Sequence, residues 1–501
     1  MSNSKLPTGW VETELKNCFL YAKSGGTPST KNKNYYGGVI PFVKIDDISN
    51  GSKYLYDTNV KINSSGIRSS SSWIVPKNSL VYSMYASYGI PIINKKRVAT
   101  SQAMINMIFT KDFHIDYIYY YLLDFKSKLS SYTKGTTQAN LNAGIVNLLP
   151  IKVPPLNEQK RIVTKIEKLF SNLDNSDKYL AHLEKQLKRY RQSVLKSAFE
   201  GELTREWREK QSDLESAKDL LEKIKDERLE YIEKEVRSKF EDKTEKWIAD
   251  KVKKEVDKFY KLLETTTNIN NDLWINIPLE AITTLLGDGL HGTPKYVENS
   301  EYYFVNGNNL QHGKLLIKND TKSVSEEEYL KYKKNMNLNT ILVSINGTLG
   351  NIAFFNNEKV MLGKSACYFN LLKSINKQYI FWKINSHEFR TYADKSATGS
   401  TIKNLPLSAM RKYKVPICSN SEQQEIIKEI DKHMSIIDKL EAVVQKSIKE
   451  SKRLRQSILK QAFEGKLVEQ DSSDESAQIL LEKIAKAKEE YKKEMSKRKK
   501  K

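Results

Sequence analysis

The stretch from Val153 to Gly201 opens with Val153-Pro154-Pro155-Leu156-Asn157-Glu158-Gln159, continues as a long heptad run and closes with Ala198-Phe199-Glu200-Gly201. The same plan returns from Val415-Pro416 through Glu422-Gln423 to Ala462-Phe463-Glu464-Gly465. Glu158 and Glu422 are 422 − 158 = 264 residues apart, and Phe199 and Phe463 are separated by the same 463 − 199 = 264. Two long helical stretches at one constant interval indicate an internally duplicated protein.

Each stretch has the apolar spacing of a coiled coil, in which steps of four and three alternate along one seam. The predicted seam residues are Ile162, Ile166, Leu169, Leu173, Leu180, Leu183 and Leu187 in the first copy, and Ile426, Ile430, Ile437, Leu440, Val444, Leu454 and Ile458 in the second. A helix of about 40 residues is about 60 Å long. We expect the two copies to pair antiparallel as a stiff spacer; the alternative is a surface helix packed on its own domain.

The composition limits the class of protein. The chain has 501 residues, with 83 basic and 61 acidic side chains that give a net charge of +22. A strongly basic chain favours a polyanionic partner, first of all nucleic acid, although a merely lysine-rich protein has the same balance. Cys18, Cys367 and Cys418 are far apart, which argues against a disulfide framework or a zinc site. Without an apolar run of spanning length or a signal core, we expect a cytoplasmic protein.

The repeat divides the sequence into four segments. We predict a first globular domain at 1–152, a central helical repeat at 153–268, a second globular domain at 269–414 and a C-terminal helical repeat at 415–501. Trp274 repeats Trp10, and Gly399-Ser400-Thr401 repeats Gly135-Thr136-Thr137, both at 264 residues. The interiors of the two domains otherwise differ, as expected of two recognition domains with different targets, or of drift after duplication.

Within these segments, strand-like runs cover 39–43 and 80–84, and a helix is predicted over 116–128. The charged stretch 226–263 reads as a solvated extra helix or helical pair without a second copy, although Leu220–Ile224 is repeated at Leu480–Ile484. The fold predicted is therefore α+β: two mixed α/β domains separated by two long helices that form an antiparallel coiled coil, an internal duplication with pseudo-two-fold symmetry.

The sequence offers no catalytic constellation. Gly363-Lys364-Ser365 resembles the end of a phosphate loop, but Glu358 stands where the first glycine is required. His387-Glu388 lacks the second histidine of a zinc-protease helix, and no Asp/Asn-Pro-Pro-aromatic motif for adenine methylation is present. The residue types favour a binding protein over an enzyme.

The order of parts resembles the specificity (S) subunit of type I restriction–modification enzymes. The resemblance covers nearly the whole chain. It rests on Gly135-Thr136-Thr137-Gln138 followed by Leu149-Pro150 and Pro154-Pro155-Leu156-Asn157-Glu158-Gln159, and on the two helix ends Arg191-Gln192-Ser193-Val194-Leu195-Lys196-Ser197-Ala198-Phe199-Glu200-Gly201 and Arg455-Gln456-Ser457-Ile458-Leu459-Lys460-Gln461-Ala462-Phe463-Glu464-Gly465. The second copy departs from the pattern, with Cys418-Ser419-Asn420-Ser421 where a Pro-Leu turn is usual.

The resemblance implies a non-catalytic DNA-recognition subunit without a cofactor of its own. Each variable domain would be a target recognition domain that reads half of a split double-stranded DNA site. The helices would hold the domains apart and dock two modification (M) subunits, which bind S-adenosylmethionine. Restriction (R) subunits, which use ATP and Mg, would join them, in a system of DNA methylation and phage defence. Phe199 and Phe463, at the matching helix ends, are the expected subunit-docking residues.

Two unlike domains related by a pseudo-dyad can meet one face of a duplex, so the site read is expected to be asymmetric and bipartite. Loops rich in hydroxyl, amide, lysine and tyrosine side chains supply the donors and acceptors that bases and phosphates need. The candidates in the first domain are Ser24, Thr27, Lys31, Lys44, Tyr85, Tyr88, Gln102, Lys134, Thr136, Thr137 and Gln138. Those in the second are His291, Thr293, Lys295, Asn306, Asn308, Asn309, Asn346, Thr348, Lys364, Ser400 and Thr401.

Alternatives remain open both for these residues and for the chain as a whole. Any one candidate could be a solvated loop residue or turn former, and the 134–138 and 400–401 loops could brace a domain against its helix. The same reading role could serve another methylation or defence system. A coiled-coil scaffold with two protein- or glycan-binding domains is the rival from another class.

Overall fold

The computed structural model describes residues 6–49, 51–85, 88–131, 141–269 and 273–499. They form two compact units. The first contains Met1–Ala181 and Gln445–Lys501, and the second contains His182–Val444. Each unit therefore combines one globular domain with parts of both long helices.

The first globular domain is mostly β-structure with one substantial helix. Three short 3-10 helices lie at Leu15–Asn17, Lys33–Tyr35 and Lys126–Ser131. The other elements are β1 (Val11–Glu14), β2 (Tyr21–Ser24), β3 (Tyr36–Val43), α1 (Ile45–Ile48), β4 (Tyr54–Leu55), β5 (Lys61–Ile62), α2 (Ser64–Arg68), β6 (Leu80–Ser83), β7 (Pro91–Asn94), β8 (Ala99–Thr100), β9 (Met104–Ile108), α3 (Ile115–Phe125), α4 (Ala143–Asn147) and β10 (Pro150–Val153). The strands predicted at 39–43 and 80–84 and the helix predicted at 116–128 are thus confirmed as β3, β6 and α3.

The strands of this domain form a five-stranded sheet in the order β2-β9-β6-β7-β4 and a three-stranded sheet in the order β5-β3-β8. Strand β6 is buried along its whole length, as the continuous apolar run of a core strand predicts. Strand β1 pairs antiparallel with β10, with Val11 opposite Val153, so that the two ends of the domain are joined directly before the long helix begins.

A central helical region follows the first domain. Its elements are α5 (Leu156–Phe199), α6 (Arg205–Glu209), α7 (Ala217–Lys239) and α8 (Glu245–Leu263). The stretch 226–263 is not a solvated linker, because α7 and α8 bury Ile232, Val236, Ile248 and Phe259 in the core of the second unit. The i, i+4 spacing of the apolar residues in α7 gives that helix a face which needs a partner.

The second globular domain has the same plan with more strands. Two 3-10 helices lie at Leu279–Ile282 and Gly307–Asn309. The other elements are β11 (Thr267–Ile269), β12 (Trp274–Pro278), β13 (Thr283–Asp288), β14 (Tyr296–Val297), β15 (Tyr302–Val305), β16 (Leu310–Gln311), β17 (Lys314–Leu315), β18 (Ser323–Val324), α9 (Glu326–Tyr332), β19 (Thr340–Ser344), β20 (Ile352–Phe354), β21 (Val360–Leu362), β22 (Ala366–Leu371), α10 (Lys377–Ile384), α11 (His387–Ser396), α12 (Leu407–Lys412) and β23 (Lys414–Ile417).

Two four-stranded sheets organise this domain, in the orders β13-β22-β19-β20 and β14-β18-β15-β21. Its first and last strands also meet, because β12 pairs antiparallel with β23 and Ile277 lies opposite Val415. The chain then enters α13 (Asn420–Phe463) and, after a connection, α14 (Ala477–Lys499).

Helices α7 and α14 are equivalent, which corrects the prediction that residues 226–239 have no second copy. Both helices have 23 residues. Leu220 and Ile224 of α7 pack in the second unit, and Leu480 and Ile484 of α14 pack in the first. The interval is 480 − 220 = 260 residues. No counterpart of α8 is present among the described residues.

A buried glutamate joins each globular domain to the start of its long helix. In the first unit the indole Nε1 of Trp10 donates to Glu158 Oε2 at 3.0 Å. In the second unit Trp274 Nε1 donates to Glu422 Oε2, also at 3.0 Å. Both glutamates are 1% exposed. Donor and acceptor both repeat at 264 residues, so the sequence duplication is also a duplication of this contact.

Helices α5 and α13 run antiparallel and are linked by two equivalent arginines. In the second unit, Arg191 Nη2 lies 2.5 Å from Asp438 Oδ1 and 3.2 Å from Glu441 Oε2. In the first unit, Arg455 Nη2 lies 2.7 Å from Asp174 and 2.9 Å from Asp177. Here too each residue and its counterpart are 264 positions apart. Within the second unit, Arg191 faces Asp438, and Thr204, just beyond the end of α5, reaches Glu422 at the start of α13, so the two helices run in opposite directions there.

The predicted apolar seam is only partly correct. Ile162, Ile166, Ile426, Ile430, Ile437 and Val444 are buried, whereas Leu169, Leu173, Leu180, Leu183, Leu187 and Ile458 are half-buried. Leu440 and Leu454 are 47% and 51% exposed, so their assignment to the seam was wrong. The residues that follow them, Glu441 and Arg455, face α5 instead and form the ion pairs described above.

The arginine pairs contribute modestly to stability, since all four acidic partners are partly or largely exposed to solvent. We expect Arg455→Gln and Arg191→Gln each to lower the free energy of unfolding by about 0.5–1 kcal/mol at low salt. Because a 1 M salt solution shortens the screening length to about 3 Å, the loss should shrink there. Urea unfolding at two salt concentrations measures it. Arg453→Gln, at an exposed position on α13, is the control; an equal effect there would contradict a specific pairing role.

Candidate nucleic-acid interface

In the second domain, five loop segments adjoin one another and carry most of the predicted DNA-binding residues. The backbone N–H of Lys364 donates to the Leu290 carbonyl at 3.0 Å, which joins the 289–295 loop to the turn before β22. Ser365 Oγ donates to Asn306 Oδ1 at 2.9 Å, which adds the turn after β15. The Gly347 N–H donates to the Lys403 carbonyl at 2.9 Å, which brings in the 346–348 loop and the 400–404 segment.

A polar cleft of about 540 Å³ opens within this band. Four predicted residues line it: Asn306, Asn308, Asn346 and Thr348. Gln311, Lys318, Asn351 and Ser365 also line the cleft and were not predicted. No motif marks these four, since only the folding of separate turns brings them to one place.

The chemistry of the cleft suits base edges better than a cation. Five of its side chains are carboxamides, one is a lysine, and none of the described residues that line it carries a carboxylate. A carboxamide offers one donor and one acceptor side by side, which matches the adenine edge in the major groove. Asn346 Nδ2 donates to Asn404 Oδ1 at 3.3 Å, so this amide is oriented by its neighbour.

In the first domain, a smaller group of predicted residues gathers at the equivalent place. The Gln102 N–H donates to Thr27 Oγ1 at 3.4 Å, and the indole of Trp73 donates to the Ser24 carbonyl at 3.2 Å. The loop that follows β2 packs closely here. A Cβ at Gly25 would lie 2.2 Å from the Thr100 carbonyl oxygen, so only glycine permits this approach.

The predicted residues that the structure describes differ in their exposure to solvent. The exposed ones, free to meet a ligand, are Lys31, Tyr85, Gln102, His291, Thr293, Lys295, Asn308, Thr348, Lys364, Ser400 and Thr401. The half-buried ones are Ser24, Thr27, Lys44, Tyr88, Asn306 and Asn346. The predictions at Lys134, Thr136, Thr137 and Gln138 fall outside the described residues.

Asn309 is not available to DNA, which corrects its prediction. It is 5% exposed. Its amide nitrogen donates to the Leu316 carbonyl at 2.9 Å and to Thr321 Oγ1 at 3.2 Å, and its Oδ1 accepts from the Asn306 N–H at 3.0 Å. Asn309 therefore fixes the turn that presents Asn308.

His291 is oriented by an acidic neighbour. Its Nε2 lies 2.7 Å from Asp288 Oδ2, and its side chain is 71% exposed. Asp288 is the last residue of β13, so the pair lies at the start of the 289–295 loop.

Phe199 and Phe463 do not form exposed docking sites, which corrects that expectation. Phe199 is 5% exposed and Phe463 is 6% exposed. In the first unit, Phe463 packs edge-on against Tyr117 and Tyr121 of α3 at 5.5 and 5.0 Å between ring centroids. In the second unit, Phe199 packs edge-on against Tyr379 at 5.2 Å. Each ring anchors a helix end within its own chain, because a large apolar side chain gains most from full burial.

The cysteines lie in the hydrophobic cores of the two units. Cys18, Cys367 and Cys418 are buried free thiols. Burial raises the pKa of Cys18 to about 12 and raises the pKa of Cys367 still further. Within the described residues, no cluster of three or more His, Cys, Asp or Glu has a metal-binding arrangement. The same residues include no helix that is long and apolar enough to cross a membrane.

A family model described as the type I restriction modification DNA specificity domain matches residues 7–185 and 293–450. The chain is 23% identical over 490 residues to the type I restriction enzyme EcoBI specificity subunit of Escherichia coli, covering 95% of this chain and 91% of that protein. It is also 23% identical over 514 residues to the EcoKI specificity subunit of Escherichia coli (strain K12), covering 97% and 96%.

Solved structures share the fold. A chain from a structure on complex assembly and conformational transition of the type I R-M system has a TM-score of 0.63 at 16% identity, covering 92% of this chain and 100% of that chain. The HsdS subunit from Thermoanaerobacter tengcongensis has a TM-score of 0.51 at 15% identity, covering 93% and 99%.

Proposed function

The chain belongs to the type I restriction modification DNA specificity family, and from this premise we propose that its two variable domains read the two halves of an asymmetric, bipartite DNA site. The family resemblance inferred from the junction motifs is thereby confirmed, and the chain is a specificity subunit of a type I restriction–modification system. The observation that carries the finer proposal is the polar cleft of the second domain, whose carboxamides and lysine suit base edges and phosphates.

The two domains present different chemistry, which supports reading of two unlike half-sites. The candidates in the first domain are mainly hydroxyl, tyrosine and lysine side chains, whereas the second concentrates carboxamides in one cleft. The net charge of +22 favours a polyanion as the common partner of both.

We further propose that the paired helices α5 and α13 set the separation of the half-sites. Each helix has 44 residues, or about 66 Å at 1.5 Å per residue. At 3.4 Å per base pair this corresponds to an upper limit of about 19 base pairs. A spacer of several unread base pairs follows, because the domains themselves occupy part of that length.

The proposed partners supply the chemistry that this chain does not carry. We propose that this subunit assembles with two M subunits, which bind S-adenosylmethionine, and with R subunits, which use ATP and Mg. We propose that the subunit itself is non-catalytic and cytoplasmic. Since Phe199 and Phe463 are buried, the docking surface must use exposed residues of the helices.

Replacing Asn308 by alanine is the sharpest test of the cleft. A bidentate base contact contributes about 1–3 kcal/mol of discrimination, so we expect roughly fivefold or greater relaxation at one position of one half-site. Because a carboxamide matches adenine, that position should be an adenine. Binding of the assembled S and M subunits to an oligonucleotide library measures this.

Lys318→Ala is the matched variant in the same cleft. A lysine that neutralises a phosphate should weaken binding to all sequences and lower the salt slope by about one. A relaxed base position in Lys318→Ala, or unchanged preferences in Asn308→Ala, would contradict the proposed roles. No binding of duplex DNA in a filter assay, by the unaltered chain together with its M subunit, would favour a scaffold instead.

A further inference from the structure

A second cavity lies apart from the candidate DNA interface, within the second unit. Helices α7 and α8 form two of its walls, and the segment around Pro278 with the end of α12 and the start of β23 forms the third. Its volume is about 850 Å³. Ile232, Val236, Phe240, Phe259, Leu262 and Pro278 give it an apolar floor.

The charges that line this cavity are unbalanced. Seven lysine or arginine side chains and three glutamates face it, an excess of 7 − 3 = 4 positive charges. One of the three carboxylates is already neutralised, because Glu255 lies 2.8 Å from Lys251 and 2.9 Å from Lys258. An apolar floor beneath a cationic rim is complementary to an amphipathic anion.

Arg228 carries the most direct sign of an unmet ligand. Its Nη1 donates to the Thr284 carbonyl at 3.0 Å. Its Nε is buried and has no hydrogen-bond partner. No ion pair to Arg228 occurs among the described residues, and burial lowers its pKa. One N–H of this guanidinium is therefore desolvated without an acceptor, which is costly. Because Arg228 also lines the cavity, an anionic group there would stabilise its positive charge.

The size of the cavity decides what kind of anion fits. A helix about 10 Å wide occupies roughly 420 Å³ per 5.4 Å turn, so the cavity would hold only about two turns of a docking peptide. Pockets of about 300–1,000 Å³ are typical of small-molecule sites. Duplex DNA is too wide to enter it and would meet only the rim.

We propose that this cavity binds a small organic anion whose apolar or aromatic body lies on the Phe240–Phe259 floor. Its carboxylate, sulfonate or phosphate group accepts hydrogen bonds from Arg228 and from lysines of the rim. This site is independent of the reading of bases, and a failure of either assignment leaves the other in place.

The probe for this chemistry is 8-anilinonaphthalene-1-sulfonate, added to the full chain and followed by fluorescence. We expect one saturable site. Arg228→Gln should weaken binding at least tenfold, the size of a lost charge-assisted hydrogen bond. Lys261→Glu, which reverses an exposed charge of the rim, should weaken it severalfold and tests the site even if Arg228→Gln fails to fold. Melting curves monitor folding of every variant.

Lys234→Glu is the control, since this exposed residue of α7 does not line the cavity. It should leave the affinity unchanged. N-phenyl-1-naphthylamine, with the same body and no sulfonate, should bind at least tenfold more weakly. Equal affinity for the neutral dye, equal binding by all folded variants, or displacement of the dye by stoichiometric nonspecific duplex DNA would overturn the assignment.

Discussion

Replacing Glu422 by glutamine is expected to lower the free energy of unfolding by about 3 kcal/mol, the scale for removing one member of a buried ion pair. Glu422 Oε1 accepts from Arg208 Nε and from Thr204 Oγ1, both at 2.8 Å, and Oε2 accepts from Trp274 Nε1. The Arg208 side chain is 14% exposed and would lose its counter-charge. Urea unfolding of the full chain measures the loss.

The equivalent change in the first unit provides the matched control. Glu158 accepts from Trp10 Nε1 and from Gln470 Nε2, both at 3.0 Å, but the neighbouring arginine, Arg161, pairs with Asp474 instead. Glu158→Gln removes no buried ion pair, so it should cost about 1 kcal/mol or less. Equal losses in the two variants would show that the ion pair at Glu422 is unimportant.

The effect of Glu158→Gln on the free energy of unfolding should depend on pH, because burial raises the pKa of Glu158 above its usual value. A carboxyl with a raised folded pKa contributes stability that is fully present below the unfolded pKa, about 4.3, and is lost as pH rises through the folded pKa. The unaltered chain should therefore lose stability relative to Glu158→Gln as the pH rises above the unfolded pKa and through the raised folded pKa. A difference independent of pH would contradict this.

Inserting one heptad into both long helices is expected to lengthen the unread spacer by about three base pairs. Seven residues add about 10.5 Å at 1.5 Å per residue, and each base pair spans 3.4 Å. Placed after Leu183 in α5 and after Ser447 in α13, the insertions keep Arg191 opposite Asp438 and Arg455 opposite Asp174. A library of DNA sites with zero to twelve added base pairs, bound by the S and M subunits, reveals the preferred spacer.

A heptad inserted in α5 alone is the control. A whole heptad keeps the seam in phase, but one-sided insertion cannot keep both arginine pairs opposed, so this variant should lose stability and specific binding. An unchanged spacer in the doubly extended chain would refute the proposal that the helices set the distance.

Much of the fold of this protein could be predicted from periodicity and repetition in its sequence. The 264-residue interval indicated the duplication, and the apolar spacing indicated two long helices. Both signals are patterns in the order of the residues, namely an internal repeat and the 3.6-residue period of a helix, and neither depends on tertiary packing. The repeats of Trp10 at 274 and of Glu158 at 422 were visible, but the hydrogen bond from each indole to its glutamate was not.

Tertiary structure alone decided which side chains face each other. The register of α13 against α5 places Glu441 and Arg455 at the interface and leaves Leu440 and Leu454 exposed. The ion-pair partners of Glu441 and Arg455 lie on α5, hundreds of residues away in the sequence, so no local pattern could predict this register. The burial of Phe199 and Phe463 likewise depends on contacts with residues that are distant in the sequence. The polar cleft is formed by turns that no local pattern connects, and so Asn309 was wrongly included and Gln311, Lys318 and Asn351 were missed. Local propensity sets where elements form, whereas the packing of distant segments sets what those elements present.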